Sequence, residues 1–210
     1  MAASRDGAKN PLWASVLAES ERRKAERFSC ENEKMNFIQR RAFRRYCAAL
    51  AIRSDLPLSK IVFCKTPKGR PYIQEADEFW FSFSACRSGF LAAWSSNAAI
   101  GVDIEDKSQN LDPLALADFH FTEDENLQVT TTNERDRQQV FLELWCLKEA
   151  ALKSIGEGIP FGLRVFEFKL QPTPKLIKVP ADIEQLEQFK IDAMKTTDTV
   201  GAVVTKYLVN

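Results

Sequence analysis

From Glu31 to about Arg53 the apolar residues Met35, Ile38, Ala42, Tyr46, Ala49 and Leu50 return at three- and four-residue spacing, the signature of one face of an amphipathic helix. Arg40, Arg41, Arg44 and Arg45 fall on its other faces. A stronger period runs from about Glu134 to Ile155, where Val140, Leu144, Leu147, Ala151 and Ile155 form one stripe and Gly156 supplies a natural stop. Around these two helices the pattern shortens to strand length. Ser59 to Cys64 reads as a short strand, and Lys65-Thr-Pro-Lys-Gly-Arg-Pro71 as a basic turn. Phe79 to Phe83, Phe90 to Trp94 and Ile100 to Glu105 are further strands, the last two expected to pair as a hairpin through Ser95-Ser96-Asn97.

A polar loop and short helix are expected between Lys107 and Asp118. Thr122 and Glu125 then have the spacing of a capping box that opens another helix. Val165 to Leu170 and Val200 to Leu208 alternate like strands, with Pro172 and Pro174 breaking the chain between them. Residues 1 to about 11 read as a loose terminus. One long helix among short strands in each half predicts the α+β class, divided as residues 1–98 and 99–210.

Composition changes this picture little. At 210 residues and 45% hydrophobic, the chain is long and apolar enough to build its own core. Lys plus Arg and Asp plus Glu are both 29, so no overall field favours nucleic acid or a membrane surface, and any electrostatic function must be local. Cys30, Cys47, Cys64, Cys86 and Cys146 are scattered without a Cys-x-x-Cys pair, which argues for reduced thiols rather than a disulfide framework or a zinc site. No apolar run approaches the roughly 20 residues of a membrane span, and the start lacks a leader pattern, so the cytoplasm is expected.

Candidate chemistry lies in two segments. In Ile100-Gly-Val-Asp-Ile-Glu105 the strand period puts Asp103 and Glu105 on one face and Val102 and Ile104 on the other. Two carboxylates so close repel and raise each other's pKa unless a cation lies between them, which suits a hard divalent ion such as magnesium; a plain solvated strand face has the same pattern. In Trp145-Cys-Leu-Lys-Glu-Ala-Ala-Leu-Lys153, Trp145, Glu149 and Lys153 share one sector of the helix, opposite the apolar stripe. An ordinary Glu to Lys i, i+4 pair on a surface helix fits equally.

Taken together, Gly101-Val-Asp-Ile-Glu105, Phe121-Thr-x-x-Glu125 and Trp145-x-x-Lys-Glu-Ala-x-x-Lys153 resemble the 4'-phosphopantetheinyl transferases of the long, surfactin-synthetase type in order and spacing. Upstream, Glu19 to Leu50 resembles the family's first helical region, and Gly69-Arg70-Pro71 its Gly-Lys-Pro turn. The resemblance runs from about residue 19 to the carboxyl end. It implies two pseudo-symmetric α+β halves, each a small antiparallel sheet packed with a long helix, with coenzyme A in the cleft between them. It implies Asp103, Glu105 and Glu149 as carboxylates around Mg²⁺, Lys153 on the pyrophosphate, and Glu149 as the base acting, directly or through a metal-bound water, on a serine of an apo acyl or peptidyl carrier protein.

For the coenzyme A 3'-phosphate, Arg41, Arg45 and Arg70 match basic family positions and suit bidentate phosphate contacts; for Arg41 and Arg45 a solvated helix face remains an equal reading. The resemblance also implies a monomer, because both halves of the cleft lie in one chain. One departure stands out. The family's Asn-x-Ser-His-Ser is replaced here by Ser82-Phe-Ser84-Ala-Cys86-Arg87, which keeps Ser84 for coenzyme A and puts Ala85 in place of the phosphate-binding histidine. Either Arg87 substitutes for that contact or coenzyme A binds more weakly. The departure motivates an alternative, a non-enzymatic relative that binds carrier protein or coenzyme A. His120, the lone histidine, has no assigned role, and Phe121 and Trp145 are expected to pack.

Overall fold

The two sequence periods become two long helices, each laid against a three-stranded antiparallel sheet, in a computed structural model that describes residues 2–4, 12–74, 76–183 and 185–207. The amino-terminal elements are β1 (Ala2–Ser4), α1 (Leu12–Ser15), α2 (Glu19–Ala25) and α3 (Glu31–Ile52). They are followed by β2 (Phe63–Lys65), β3 (Pro71–Ile73), β4 (Trp80–Ala85) and β5 (Gly89–Ser95). Next come β6 (Ala98–Asp106), α4 (Pro113–His120), α5 (Glu123–Thr130) and α6 (Glu134–Ser154), then β7 (Glu167–Lys169), β8 (Lys175–Lys178), β9 (Phe189–Lys195) and β10 (Thr199–Tyr207).

The sheets are ordered β1-β5-β4 and β6-β10-β9, with β2-β3 and β7-β8 as separate hairpins. The expected loose terminus is corrected in part, since Ala2–Ser4 pairs with Gly89–Leu91. The expected strand 59–64 is also shifted: Leu58–Lys60 forms a 3-10 turn and the strand begins at Phe63. The end of the last expected strand, Leu208, lies outside the described residues.

The expected hairpin between strands 90–94 and 100–105 does not form. Serine 95 does turn the chain, its Oγ accepting from the amides of Asn97 and Ala98. But β5 is the middle strand of its sheet, with β1 on one edge and β4 on the other, so it has no edge left. Strand β6 instead pairs over its whole length with β10, from Asp106↔Thr199 to Ala98↔Tyr207.

Helix α3 buries Phe43, Cys47, Ala48 and Ala51 against Phe81, Phe90 and Ala92, while Ile38 and Ala42 meet Leu17 and Ala25. Its buried face is thus rotated from the expected stripe: Tyr46 and Leu50 are exposed and Arg45 is buried. Helix α6 buries the expected Leu144, Leu147 and Ala151 against Val200, Ala202 and Val204 of β10. It ends in a Schellman motif, with Gly156 at φ 76°, its N–H on Lys153 O and that of Glu157 on Leu152 O. The capping box opens α5 as expected. Between the two layers Cys86 and Leu91 pack against Val102, Ile104, Met194 and Val203.

Candidate active site

The site forms where β6 runs between α6 and β4. Gly101 is the point of closest approach: a Cβ there would lie 1.9 Å from the Ala150 carbonyl oxygen, so only glycine lets the strand touch the helix backbone. On the other edge of β6, the Val102 N–H donates 3.0 Å to Ser82 Oγ of β4. Two residues along β4, Ser84 Oγ donates 2.8 Å to Asp103 Oδ1. The alternation of β4 therefore turns both serines toward β6, joining sheets that share no backbone ladder.

Asp103 meets α6 at Lys153. Its Oδ1 accepts from Lys153 Nζ at 2.7 Å, the Val102 carbonyl accepts from the same nitrogen at 3.2 Å, and Glu149 Oε2 lies 3.7 Å away. Asp103 and Glu149 are buried, at 4% and 7% exposure, and each keeps one oxygen, Asp103 Oδ2 and Glu149 Oε1, without a hydrogen-bond partner. Burial raises the Glu149 pKa, Lys153 opposes it and Asp103 adds to it. Burial pushes the Lys153 ammonium down, but Asp103 and Glu149 outweigh it and the net shift is upward. Glu105, half-buried and accepting from Gln109 Nε2, is pushed up to about 7 by burial and by Asp103. The face that carries these groups is therefore buried rather than turned to solvent.

A hard divalent cation fits this donor set. The groups are all carboxylate oxygens, and an unpaired buried carboxylate oxygen is costly unless something positive satisfies it. Among the described residues no three His, Cys, Asp or Glu side chains are grouped as ligands, and the cation that spans Asp103 and Glu149 is Lys153.

Lys153 also lines a cleft of about 220 Å³ with Lys68, Arg70, Ser82, Phe83 and Gly156. The hairpin that bears Lys68 and Arg70 turns through Gly69, at φ 88°, with Gly69 N–H on Thr66 O at 2.8 Å. Arg70 stacks on Trp80 with its guanidinium 4.1 Å from the ring, its Nη1 is buried without a partner, and burial lowers its pKa. Lys68 pairs with Glu157. The sequence reading recognised the loop as basic but did not single out Lys68.

Arg45 and Arg41 do not join them. Arg45 is 3% exposed and its guanidinium donates to Glu21 at 2.6 Å and to the carbonyls of Leu58 at 2.7 Å and Ile61 at 2.8 Å, a structural role in place of the expected phosphate contact. Arg41 stacks 5.2 Å over Phe37 and sits 3.9 Å from Glu21, and it is not part of the cleft lining. Ser84 reaches the site, but its hydroxyl is turned to Asp103. Arg87 donates to Ser108 Oγ at 2.8 Å; the guanidinium that reaches Ala85 is that of Arg40, 3.0 Å from its carbonyl.

Lys148, the motif lysine to which the sequence assigned no role, also acquires one here. It is wholly buried and paired with the equally buried Glu125, and donates to Phe166 O at 2.6 Å. Glu125 Oε1 accepts from the Phe168 amide at 2.9 Å, and Oε2 from the Thr122 amide. The pair ties α5, α6 and β7 behind the site. His120 stands edge-on to Trp145, which packs on Phe141, so all three are packing residues.

Residues 99–204 match the family profile of the 4'-phosphopantetheinyl transferase superfamily. The chain is similar to the 4'-phosphopantetheinyl transferase psf-1 of Bacillus pumilus, 31% identical over 55% of this chain and 48% of that one. It is also similar to a phosphopantetheinyl transferase of Thraustochytrium, 28% identical over 82% of this chain and 64% of that one. The chain thus spans about half to two thirds of the length of these relatives. A solved holo-(acyl-carrier-protein) synthase from Bacillus anthracis, in complex with CoA (3',5'-ADP), superposes with a TM-score of 0.41 at 17% identity over 53% of this chain and 97% of its own.

Proposed function

The chain belongs to the 4'-phosphopantetheinyl transferase superfamily, and from that premise we propose that it transfers the 4'-phosphopantetheine arm of coenzyme A to a serine of an apo acyl or peptidyl carrier protein, releasing 3',5'-ADP. The observation that carries this reading is the adjacency of a buried acidic pair and a basic cleft through one side chain. Lys153 touches Asp103 and Glu149 and lines the cleft with Lys68 and Arg70.

Phosphoryl transfer asks the protein mainly for positioning and charge neutralisation. In this reading residues 1–98 and 99–210 are the two halves that flank coenzyme A. Arg70, stacked on Trp80 with a spare N–H group, and Lys68 hold its phosphates; Lys153 neutralises the pyrophosphate. Glu149 accepts the proton of the attacking serine hydroxyl, and its Oε1, buried without a hydrogen-bond partner, is the oxygen open to take it. Asp103 and Glu149, each with a buried oxygen free of hydrogen bonds, would hold Mg²⁺, which when bound supplies further neutralisation of the pyrophosphate; Glu105, engaged by Gln109, is not grouped with them as a third ligand among the described residues.

The reading also describes a monomeric cytoplasmic enzyme with no nucleic-acid or membrane partner. No helix among the described residues is long and apolar enough to cross a membrane. The test is intact-mass analysis of apo carrier proteins incubated with the protein, coenzyme A and Mg²⁺, where transfer of the arm adds about 340 Da. No gain across fatty-acid, polyketide and peptide-synthetase carriers would sink the transferase reading; binding of a carrier without any gain would leave the non-enzymatic alternative.

A further inference from the structure

Lys153 is shared by two sites of opposite sign. Its Nζ bonds Asp103 Oδ1 at 2.7 Å and lies 3.7 Å from Glu149 Oε2, which makes it the ion that bridges strand β6 to helix α6. A single ammonium carries one charge, and its hydrogen bonds go to Asp103 Oδ1 and Val102 O, with Glu149 Oε2 held only as an ion-pair neighbour. Asp103 Oδ2 and Glu149 Oε1 are left buried and unpaired as a result. The same side chain is 29% exposed and lines the cleft beside Lys68 and Arg70. It is long, unbranched and held at its tip, so it can turn from the acidic pair to an anion in the cleft without moving the backbone.

We propose that Lys153 is a resident cation that competes with a divalent metal ion for Asp103 and Glu149 in the free protein, and that a phosphate-bearing ligand in the cleft draws it away and opens the pair to metal. The ligand's identity rests on the transferase reading; the competition between ammonium and metal does not. Two like-charged cations cannot occupy one acidic pair at low cost, so metal binds the free protein weakly. A phosphate ligand that recruits Lys153 removes that competitor, and by reciprocity bound metal releases Lys153 to the ligand. The arrangement orders assembly: the acidic pair becomes a good metal site only when a ligand occupies the cleft.

The experiment is calorimetric titration of Mg²⁺ into the full chain without coenzyme A. Lys153→Met is expected to bind Mg²⁺ more tightly than the wild type by about 5- to 150-fold, the usual range of such a coupling, and Lys153→Arg is not. Equal or weaker Mg²⁺ binding by a cooperatively folded Lys153→Met overturns the proposal. If that variant does not fold, the wild type decides. Acetylation of the Lys153 amine, read by peptide mass, should rise when Mg²⁺ saturates the protein, and an unchanged or lower yield overturns the proposal. Carrier modification by the wild type separates the two readings: tighter Mg²⁺ binding by Lys153→Met with no modification by the wild type keeps the competition and removes the transferase, and modification by the wild type with no gain in Mg²⁺ affinity for Lys153→Met does the reverse.

Discussion

Ser84 of β4 and Asp103 of β6 are joined by a 2.8 Å hydrogen bond across two sheets that share no backbone ladder. Asp103 Oδ1 takes this bond and the one from Lys153, while Oδ2 has no partner, so the carboxylate depends on both donors. Ser84→Ala removes one of them from a buried charge. The expected loss of stability is about 1 to 3 kcal/mol, read as a shift in the urea midpoint at unchanged slope. A midpoint equal to wild type would mean that the hydroxyl does not support Asp103.

Glu149→Gln keeps the shape of the side chain and removes its capacity to take a proton. Carrier modification is expected to fall by about 10² to 10⁴, the usual contribution of a positioned base. The melting temperature should hold, because Lys153 retains Asp103 as its 2.7 Å partner. Full activity in the variant would rule Glu149 out as the base.

Lys148→Met strands Glu125 as a buried charge at 0% exposure. Breaking such a pair by removing one partner costs about 3 to 5 kcal/mol, so the variant should melt well below the wild type. Replacing both partners with apolar residues should recover part of that loss, although Glu125 would still be missed at the Thr122 and Phe168 amides. A single variant as stable as the wild type would contradict the structural role of Lys148.

Glu105 carries a pH signature. Its folded pKa is raised from 4.5 to about 7, so between those values the folded state holds a proton that the unfolded state has released. Stability from this group is present at low pH, is lost as pH rises through the window, and settles above 7. In metal-free buffer Glu105→Gln should therefore gain on the wild type as the pH is raised from about 5 to about 8, with the difference read from urea midpoints. A difference that stays flat with pH would show that Glu105 titrates normally.

The local features of this protein are written in its sequence. The two long helices, the capping box at Thr122, the stop at Gly156 and the opposition of Asp103 to Val102 and Ile104 all follow from spacing within one element, where the backbone period alone decides which side chains share a face. Gly101 marks a position where even a methyl group would strike Ala150. That requirement appears only once α6 lies against β6.

Tertiary structure decided what depends on partners from distant segments. It gave β5 two neighbours and so denied it β6, it buried Arg45 against Glu21, and it matched Lys148 to Glu125. It also set Lys153 between an acidic pair and a basic cleft. A charged residue shows its sign in the sequence, but whether it meets water, an opposite charge or a ligand depends on which surfaces folding brings together, because burial and pairing act through space rather than along the chain.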